Sequence, residues 1–192
     1  MSMITIKNLT FCYEGSYENI FENVSFTIDT DWKLGFTGRN GRGKTTFLNL
    51  LMGKYEYQGT ISASVRFDYF PFQVDDQSLD TLEIAEGICG APLWQIKREL
   101  GLLEVPEEAL YRSFATLSNG ERTKARLAAL FLRENCFLLI DEPTNHLDRE
   151  ARETVANYLS GKSGFIDVYK RQCCSARPPN RGSGCRCPWR SA

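Results

Sequence analysis

The sequence contains one histidine, three methionines and no apolar run near the roughly 18 residues that a membrane-spanning helix requires. Met1 to Thr10 holds no basic segment followed by an apolar stretch, so we expect no export signal. These absences argue against an integral membrane or secreted protein and favour a cytoplasmic one. The remaining composition is ordinary for a globular domain, with 192 residues, 42% apolar and 24% charged.

Charge and cysteine content divide the chain at about residue 166. Residues 1–166 hold 17 Lys and Arg against 23 Asp and Glu, whereas 167–192 hold six basic residues and one acidic residue. We therefore treat 1–166 as the folded body and 167–192 as a separate tail that has no periodic apolar face. Four of the seven cysteines belong to this tail: Cys173, Cys174, Cys185 and Cys187.

Three interpretations of the tail remain open. We favour a frameshifted or junction-derived end that is unrelated to the body. The others are a disordered basic arm that touches RNA and a metal site built from the four cysteines, whose spacing is unusual for zinc. Scattered single cysteines in the body fit a reducing cytoplasm: Cys12, Cys89 and Cys136.

Alternating strand and helix patterns in the body predict an α/β fold with a largely parallel sheet. The predicted strands are 4–13, 24–28, 34–37, 60–70, 136–140 and one that begins at 164–166. The predicted helices are 45–52, 81–103, a short one at Pro106, 119–133 and 150–159.

A glycine-rich segment between the third strand and the first helix carries the strongest signal. It fits the pattern G-x-x-x-x-G-K-[ST], in which backbone N–H groups and a helix start surround phosphates, the lysine reaches the β- and γ-phosphates and the hydroxyl binds Mg²⁺. A glycine-rich turn with a chance lysine is the alternative. The segment is Gly38, Arg39, Asn40, Gly41, Arg42, Gly43, Lys44 and Thr45.

A continuous apolar run, Phe137 to Ile140, precedes Asp141 and Glu142. Such a run is typical of a strand buried on both faces, and ligands of open parallel sheets lie beyond the carboxyl ends of the strands. There Asp141 is placed to hold Mg²⁺ and Glu142 to orient and deprotonate an attacking water. The alternative is a solvated acidic pair at the end of a core strand.

The segment Leu117 to Arg122 admits two interpretations that spacing alone does not separate. Ser118 and Glu121 have the S-x-x-E spacing of a capping box at the start of the helix 119–133. The same capped helix start is an anion site suited to a γ-phosphate held by another subunit.

Taken in order, these motifs resemble the ATP-binding cassette (ABC) family. The glycine loop matches its Walker A, Phe137 to Glu142 its Walker B, and Leu117 to Arg122 its signature. The resemblance implies a P-loop NTPase fold of the cassette type, with an N-terminal antiparallel β part, a helical subdomain at about 76–116 and an incomplete C-terminal end. It implies ATP and Mg²⁺ as ligands.

The resemblance also assigns candidate roles residue by residue. Glu142, Lys44 and Gln73 would be catalytic, while Thr45, Gln73 and Asp141 would hold Mg²⁺. Tyr13 would stack on adenine, and Thr46 would join the glycine loop in binding ATP. The signature residues that would contact ATP from a second cassette are Ser118, Asn119, Gly120 and Glu121. The D-loop would comprise Asn145, His146, Leu147 and Asp148.

Within the family, the sequences of segments 118–124 and 142–148 resemble the ABC-F class and are most similar to its antibiotic-resistance, ribosome-protection branch. That class implies two cassettes in one soluble chain without a membrane domain, and action on the ribosome. The alternatives are the ATPase subunit of a membrane transporter and an inert nucleotide-binding fragment. His146 falls in the D-loop, so no switch histidine is present. We therefore expect a first-cassette fragment with poor solubility, weak Mg-ATP binding and little turnover alone.

Overall fold

The computed structural model describes residues 2–38, 41–145 and 147–170. Its strands are β1 Met3–Phe11, β2 Phe21–Asp29, β3 Lys33–Gly38, β4 Gln58–Ser62, β5 Arg66–Phe70, β6 Cys136–Asp141 and β7 Phe165–Lys170. Its helices are α1 Lys44–Leu51, α2 Thr81–Cys89, α3 Leu93–Leu102, α4 Asn119–Phe131 and α5 Arg149–Ser160. Two short 3₁₀ helices, Glu107–Tyr111 and Phe114–Thr116, lie between α3 and α4.

The strands form two sheets of different kinds. An antiparallel sheet has the order β2-β1-β4, and a parallel sheet has the order β3-β7-β6-β5. Parallel strands place all their carboxyl ends at one edge. The glycine loop after β3, Asp141 at the end of β6 and the segment after β5 are therefore brought to the same edge, although they are far apart in sequence.

The parallel sheet is the middle of three layers. Successive residues of β6 face opposite sides: Phe137 and Leu139 pack with α1 and the antiparallel sheet, whereas Leu138 and Ile140 pack with the helices α2 to α5. All four side chains are at most 2% exposed. Burial on both faces explains the uninterrupted apolar run of β6 and confirms its prediction as a central strand.

Two predicted elements are each divided in the structure. The strand predicted at 60–70 is two strands, β4 in the antiparallel sheet and β5 in the parallel sheet, so the chain crosses between sheets at 63–65. The helix predicted at 81–103 is α2 and α3, because Gly90 ends α2 at φ 62° and Pro92 caps α3. Ile96, Leu100 and Leu103 are buried as their spacing predicts, but Leu93 is exposed.

The last strand runs further than its sequence predicts. Polar residues from Asp167 onward interrupt the apolar run, yet β7 continues to Lys170, past the predicted body boundary at 166. Pairing on both sides accounts for this, since Asp167 is in register with Gly35 of β3 and Ile140 of β6. The prediction for 171–192 lies outside the described residues.

Candidate nucleotide-binding site

The glycine loop turns from β3 into α1 through two left-handed glycines. Gly41 and Gly43 have φ of 77° and 78°, a conformation that side-chain-bearing residues rarely adopt. A Cβ on Gly43 would lie 2.5 Å from Cγ2 of Ile20, so the position also lacks space for a side chain. Gly43 is the N-cap of α1 and presents no side-chain acceptor to the first turn of the helix.

Lys44 is held inside this loop. Its side chain is 8% exposed, and Nζ donates a hydrogen bond of 2.9 Å to the carbonyl oxygen of Gly38. The lysine therefore folds back across the loop from the first turn of α1 to the end of β3. This arrangement places a positive charge within the glycine loop, as a site for phosphate requires.

Asp141 lies at the end of β6 and meets the first turn of α1. Its Oδ2 accepts hydrogen bonds from Thr45 Oγ1 at 2.8 Å and from the Tyr69 hydroxyl at 3.0 Å. Its Oδ1 is buried and has no hydrogen-bond partner within the described part of the chain. A buried carboxylate oxygen beside a hydroxyl matches the oxygen ligands that Mg²⁺ prefers, so the residues fit this metal.

Sequence reasoning missed Tyr69, which it placed only within the predicted strand 60–70. Burial raises the pKa of the Tyr69 phenol, and the nearby Asp141 carboxylate raises it further. The phenol therefore stays protonated and acts as the donor. The signal that would have found it is topological, because the hydroxyl becomes significant only once β5 is known to lie beside β6.

Glu142 follows Asp141 with an unusual backbone. Its φ is 52°, in the left-handed region, and its amide donates to the carbonyl oxygen of Val168 on β7 at 3.3 Å. Its Oε2 accepts a hydrogen bond from the side-chain amide of Asn145. Because of this left-handed backbone, the Glu142 side chain does not follow the direction that a continuing strand would give it. The hydrogen bond from Asn145 holds the carboxylate in place.

Tyr13 and Gln73, which are both assigned by resemblance, are placed differently. Tyr13 is 40% exposed, and its hydroxyl lies 2.8 Å from Oγ1 of Thr46 in α1, which puts its ring beside the glycine loop. Gln73 is exposed, three residues past β5, and in the described structure it makes no hydrogen bond to Thr45 or Asp141. The structure thus joins Tyr13 to the first turn of α1 but leaves Gln73 without a hydrogen bond to Thr45 or Asp141, the other predicted metal ligands.

The signature segment begins α4 with the predicted capping box. Ser118 Oγ accepts from the amide of Glu121 at 3.2 Å, and Glu121 Oε2 accepts from the amide of Ser118 at 2.8 Å. Backbone hydrogen bonding lowers the pKa of Glu121, against a smaller opposing effect of burial. The structural interpretation of S-x-x-E is therefore confirmed, and the role toward a second cassette stays a prediction.

A cleft of about 350 Å³ separates the start of α4 from the end of β6. It brings Asn119 of the signature together with Asp141 and Glu142, while Ser118, Gly120 and Glu121 do not line it. Arg122 and Arg126 also line the cleft, and burial together with the neighbouring Arg122 lowers the pKa of Arg126.

The predicted D-loop connects this cleft to α5. Leu147 is 3% exposed in the core, and Asp148 caps α5 by accepting from the amide of Ala151 at 2.8 Å. Both residues therefore have structural roles besides any function at an interface. Three predicted site residues lie outside the described residues: Arg39, Asn40 and His146.

Comparison with known proteins places the chain in a class. Residues 21–145 match the ABC transporter family model, so the chain belongs to this family and is an ATP-binding cassette, the ATPase domain of that family. The fold agrees: a protein described as an ABC transporter ATP-binding protein from Pyrococcus furiosus aligns over 90% of this chain and 94% of its own, at 18% identity and a TM-score of 0.75. Within the described residues, no helix combines the length and apolarity needed to cross a membrane.

Among curated relatives the chain is similar to members of the F subfamily. It is 32% identical to the ribosome protection protein VmlR of Bacillus subtilis over 85% of its length. It is also 32% identical to ABC transporter F family member 4 of Dictyostelium discoideum, again over 85% of its length. The chain spans only 30% of the first of these relatives and 15% of the second.

Proposed function

We propose that the chain binds Mg-ATP in its glycine loop and that Glu142 is the general base for hydrolysis when a second cassette completes the site. The observation that carries this proposal is the meeting of Thr45 Oγ1 and Asp141 Oδ2 at 2.8 Å, with the other Asp141 oxygen buried and unpartnered in the described structure. The loop amides and Lys44 would hold the β- and γ-phosphates, Tyr13 would stack on adenine, and Thr45 and Asp141 would hold Mg²⁺.

The reaction would be an in-line displacement at the γ-phosphorus. Glu142 accepts a proton from a water whose oxygen bonds to the γ-phosphorus, while the bond to the bridging oxygen breaks to give ADP and phosphate. Bound Mg²⁺ would neutralise charge on the phosphate oxygens. Asn145 keeps the Glu142 carboxylate in one orientation, and Gln73 would contact the metal and water only after its loop moves toward Asp141.

Completion of the site would require the signature of a second cassette. The capping box at the start of α4 satisfies the amides of Ser118 and Glu121. The other N–H groups of this first turn would face a γ-phosphate across an interface. Closure of the two cassettes would exclude water and turn nucleotide binding into movement. A D-loop at 145–148 would lie at the same interface.

For the larger protein, we propose action on the ribosome in the cytoplasm, in the manner of an antibiotic-resistance or ribosome-protection protein. The support is the 32% identity to the ribosome protection protein VmlR. An ATPase subunit of a membrane transporter is the alternative. The similar solved structures, at 18% and 24% identity, include a metal-chelate type ABC transporter, and likeness at this level of identity shows the fold alone.

Sedimentation separates these two assignments. The full-length protein that contains this chain, carrying Glu142→Gln to slow hydrolysis, is mixed with ATP and then with purified ribosomes or with membrane vesicles. We expect ATP-dependent pelleting with ribosomes and none with vesicles, and the same protein carrying Lys44→Ala is the control that should not pellet. Pelleting with vesicles alone would favour the transporter.

A further inference from the structure

We propose that Tyr69 is a positioning residue for the metal-binding carboxylate of Asp141. Its hydroxyl fixes the carboxylate oxygen Oδ2, which Thr45 also contacts, and so sets the orientation of the carboxylate toward the metal. The inference rests on the proposed nucleotide site and adds to it a residue that neither the motifs nor the comparisons assign.

The register of β5 against β6 places Tyr69 where a long side chain with a terminal donor reaches Asp141. Tyr69 pairs with Leu139 in the parallel sheet, so its side chain lies on the same face as Leu139 and Asp141. Asp141 is two residues further along β6, about 6.6 Å along the strand. The tyrosine ring spans this offset and brings its hydroxyl to 3.0 Å from Asp141 Oδ2.

The two groups that donate to Oδ2 have different predicted roles when the metal binds. Thr45 Oγ1 is 2.8 Å from Oδ2 and is itself a predicted metal ligand, so the same oxygen would both donate to Asp141 and bind the metal. Tyr69 is not a predicted metal ligand, and its proposed role is limited to the hydrogen bond that it donates to the carboxylate. It therefore holds Asp141 in the same orientation before and after the metal arrives, with Oδ1 left as the buried, unpartnered oxygen in the described structure.

The Tyr69 ring is itself held in place. It is partly buried against the core on the α1 side of the sheet, and the ammonium of Lys54 lies 4.9 Å from its centroid. A partly buried aromatic ring with a cation over its face loses little freedom when its hydroxyl binds a carboxylate. Groups that hold a metal-ligating side chain in this way usually contribute 10- to 100-fold to metal affinity, an order-of-magnitude range.

The test is a titration of Mg²⁺ into the chain with the fluorescent methylanthraniloyl derivative of ATP. We expect Tyr69→Phe to raise the Mg²⁺ concentration at half-saturation by about tenfold or more, with nucleotide binding in EDTA unchanged. Tyr158→Phe is the matched control, because it also removes a hydroxyl that donates to a carboxylate, that of Glu99 at 2.7 Å, outside the nucleotide site.

A double-mutant cycle then asks whether Tyr69 acts through Asp141. In an Asp141→Asn background, Tyr69→Phe should change the Mg²⁺ requirement by less than about twofold. An effect of Tyr69→Phe no larger than that of Tyr158→Phe would overturn the inference. So would an equal loss of metal-free nucleotide binding, or an undiminished effect in the Asp141→Asn background.

A second measurement applies if Tyr69→Phe does not fold. Fluorotyrosine incorporated at position 69 alone keeps the hydroxyl, and its ¹⁹F resonance should shift when Mg²⁺ is added to the nucleotide-bound chain. A resonance that shifts with nucleotide but not with Mg²⁺ would contradict the inference while leaving the nucleotide site intact. Absence of nucleotide binding in the unaltered chain would instead contradict the proposed function and, with it, this inference.

Discussion

Glu142 adopts a backbone conformation, with φ of 52°, that residues with a side chain seldom adopt. Left-handed conformations cost such residues about 1–2 kcal/mol, so the surrounding structure must hold this one in place. The hydrogen bond from its amide to Val168 and that from Asn145 to its carboxylate do so. This strained backbone at the end of Walker B supports the proposal that the Glu142 carboxylate is oriented for chemistry.

Glu142→Gln should therefore separate hydrolysis from binding. The amide keeps the size and shape of the side chain but does not accept a proton from water. In the larger protein with two cassettes, we expect single-turnover hydrolysis of radiolabelled ATP to fall by about 100-fold or more, with nucleotide affinity within about threefold. The exposed Glu108→Gln is the control, and an equal loss of activity in both variants would exclude Glu142 as the base.

At the residue scale, the sequence points to chemistry where the candidate site residues are consecutive in the chain. Lys44 and Thr45 belong to a single loop, and Asp141 and Glu142 follow one strand, so their types and spacing point to phosphate and metal chemistry. Tyr69 is 72 residues from Asp141, and nothing in its neighbourhood marks its hydroxyl as a donor. Only the pairing of β5 with β6 reveals that contact.

At the scale of elements, the start of α4 serves stability whether or not it meets a second cassette. Ser118 and Glu121 satisfy each other's amides within one chain. The two interpretations of the signature are therefore separable by experiment on the isolated chain, where no second cassette contributes.

Ser118→Ala should lower the free energy of unfolding by about 1 kcal/mol, because it removes the side-chain acceptor at the helix start. Nucleotide affinity of the chain alone should not change. Urea unfolding and a nucleotide titration measure the two quantities, with the exposed Ser64→Ala as a control. A large loss of affinity without a loss of stability would mean that Ser118 contacts nucleotide within its own chain.

Helices α3 and α5 are joined by a buried carboxylate. Glu99 is 2% exposed and accepts hydrogen bonds from the Tyr158 hydroxyl at 2.7 Å and from Lys162 Nζ at 2.5 Å. Burial by itself raises the pKa of Glu99, but the bonds from Lys162 and Tyr158 outweigh it, so that the pKa lies below its ordinary value of 4.5.

Stability should therefore depend on pH through Glu99. Since its pKa is lower in the folded than in the unfolded chain, its contribution is present above pH 4.5 and is lost as pH falls through the folded value. Glu99→Gln should reduce the free energy of unfolding by about 2 kcal/mol at pH 7. This gap in unfolding free energy between the variant and the unaltered chain should become smaller as the pH is lowered. Denaturant unfolding from neutral to acid pH, with the exposed Glu86→Gln as control, measures this, and a gap independent of pH would contradict it.

Element boundaries were the least predictable feature because short interruptions leave the periodicity intact. The helix pattern continues through Gly90 and Pro92, although these residues end α2 and begin α3. The alternation at 60–70 likewise continues across the crossing between sheets, since neither pattern records which sheet a strand joins. Asp167 misled the prediction of β7 because pairing on both sides overrides its low strand preference.

For the whole molecule, the three layers explain how separated motifs become one site. The parallel sheet brings the glycine loop, Walker B and the segment after β5 to one edge, and burial of β6 on both faces holds Asp141 rigidly there. The alternation of strands and helices was sufficient to predict an α/β fold with a largely parallel sheet, whereas the antiparallel sheet was implied only by the family resemblance. The assignments of 1–166 as one cassette, 76–116 as its helical subdomain and the tail as a separate segment stay predictions.

The most direct test of the account is equilibrium binding of fluorescent Mg-ATP to this chain. Since Lys44 would supply a charge-assisted hydrogen bond to phosphate, we expect Lys44→Ala to weaken binding by about 10- to 100-fold. Lys7→Ala, which removes an exposed lysine from β1, should leave affinity within about twofold. Equal affinity of the unaltered chain and the Lys44→Ala variant would contradict a nucleotide site in the glycine loop.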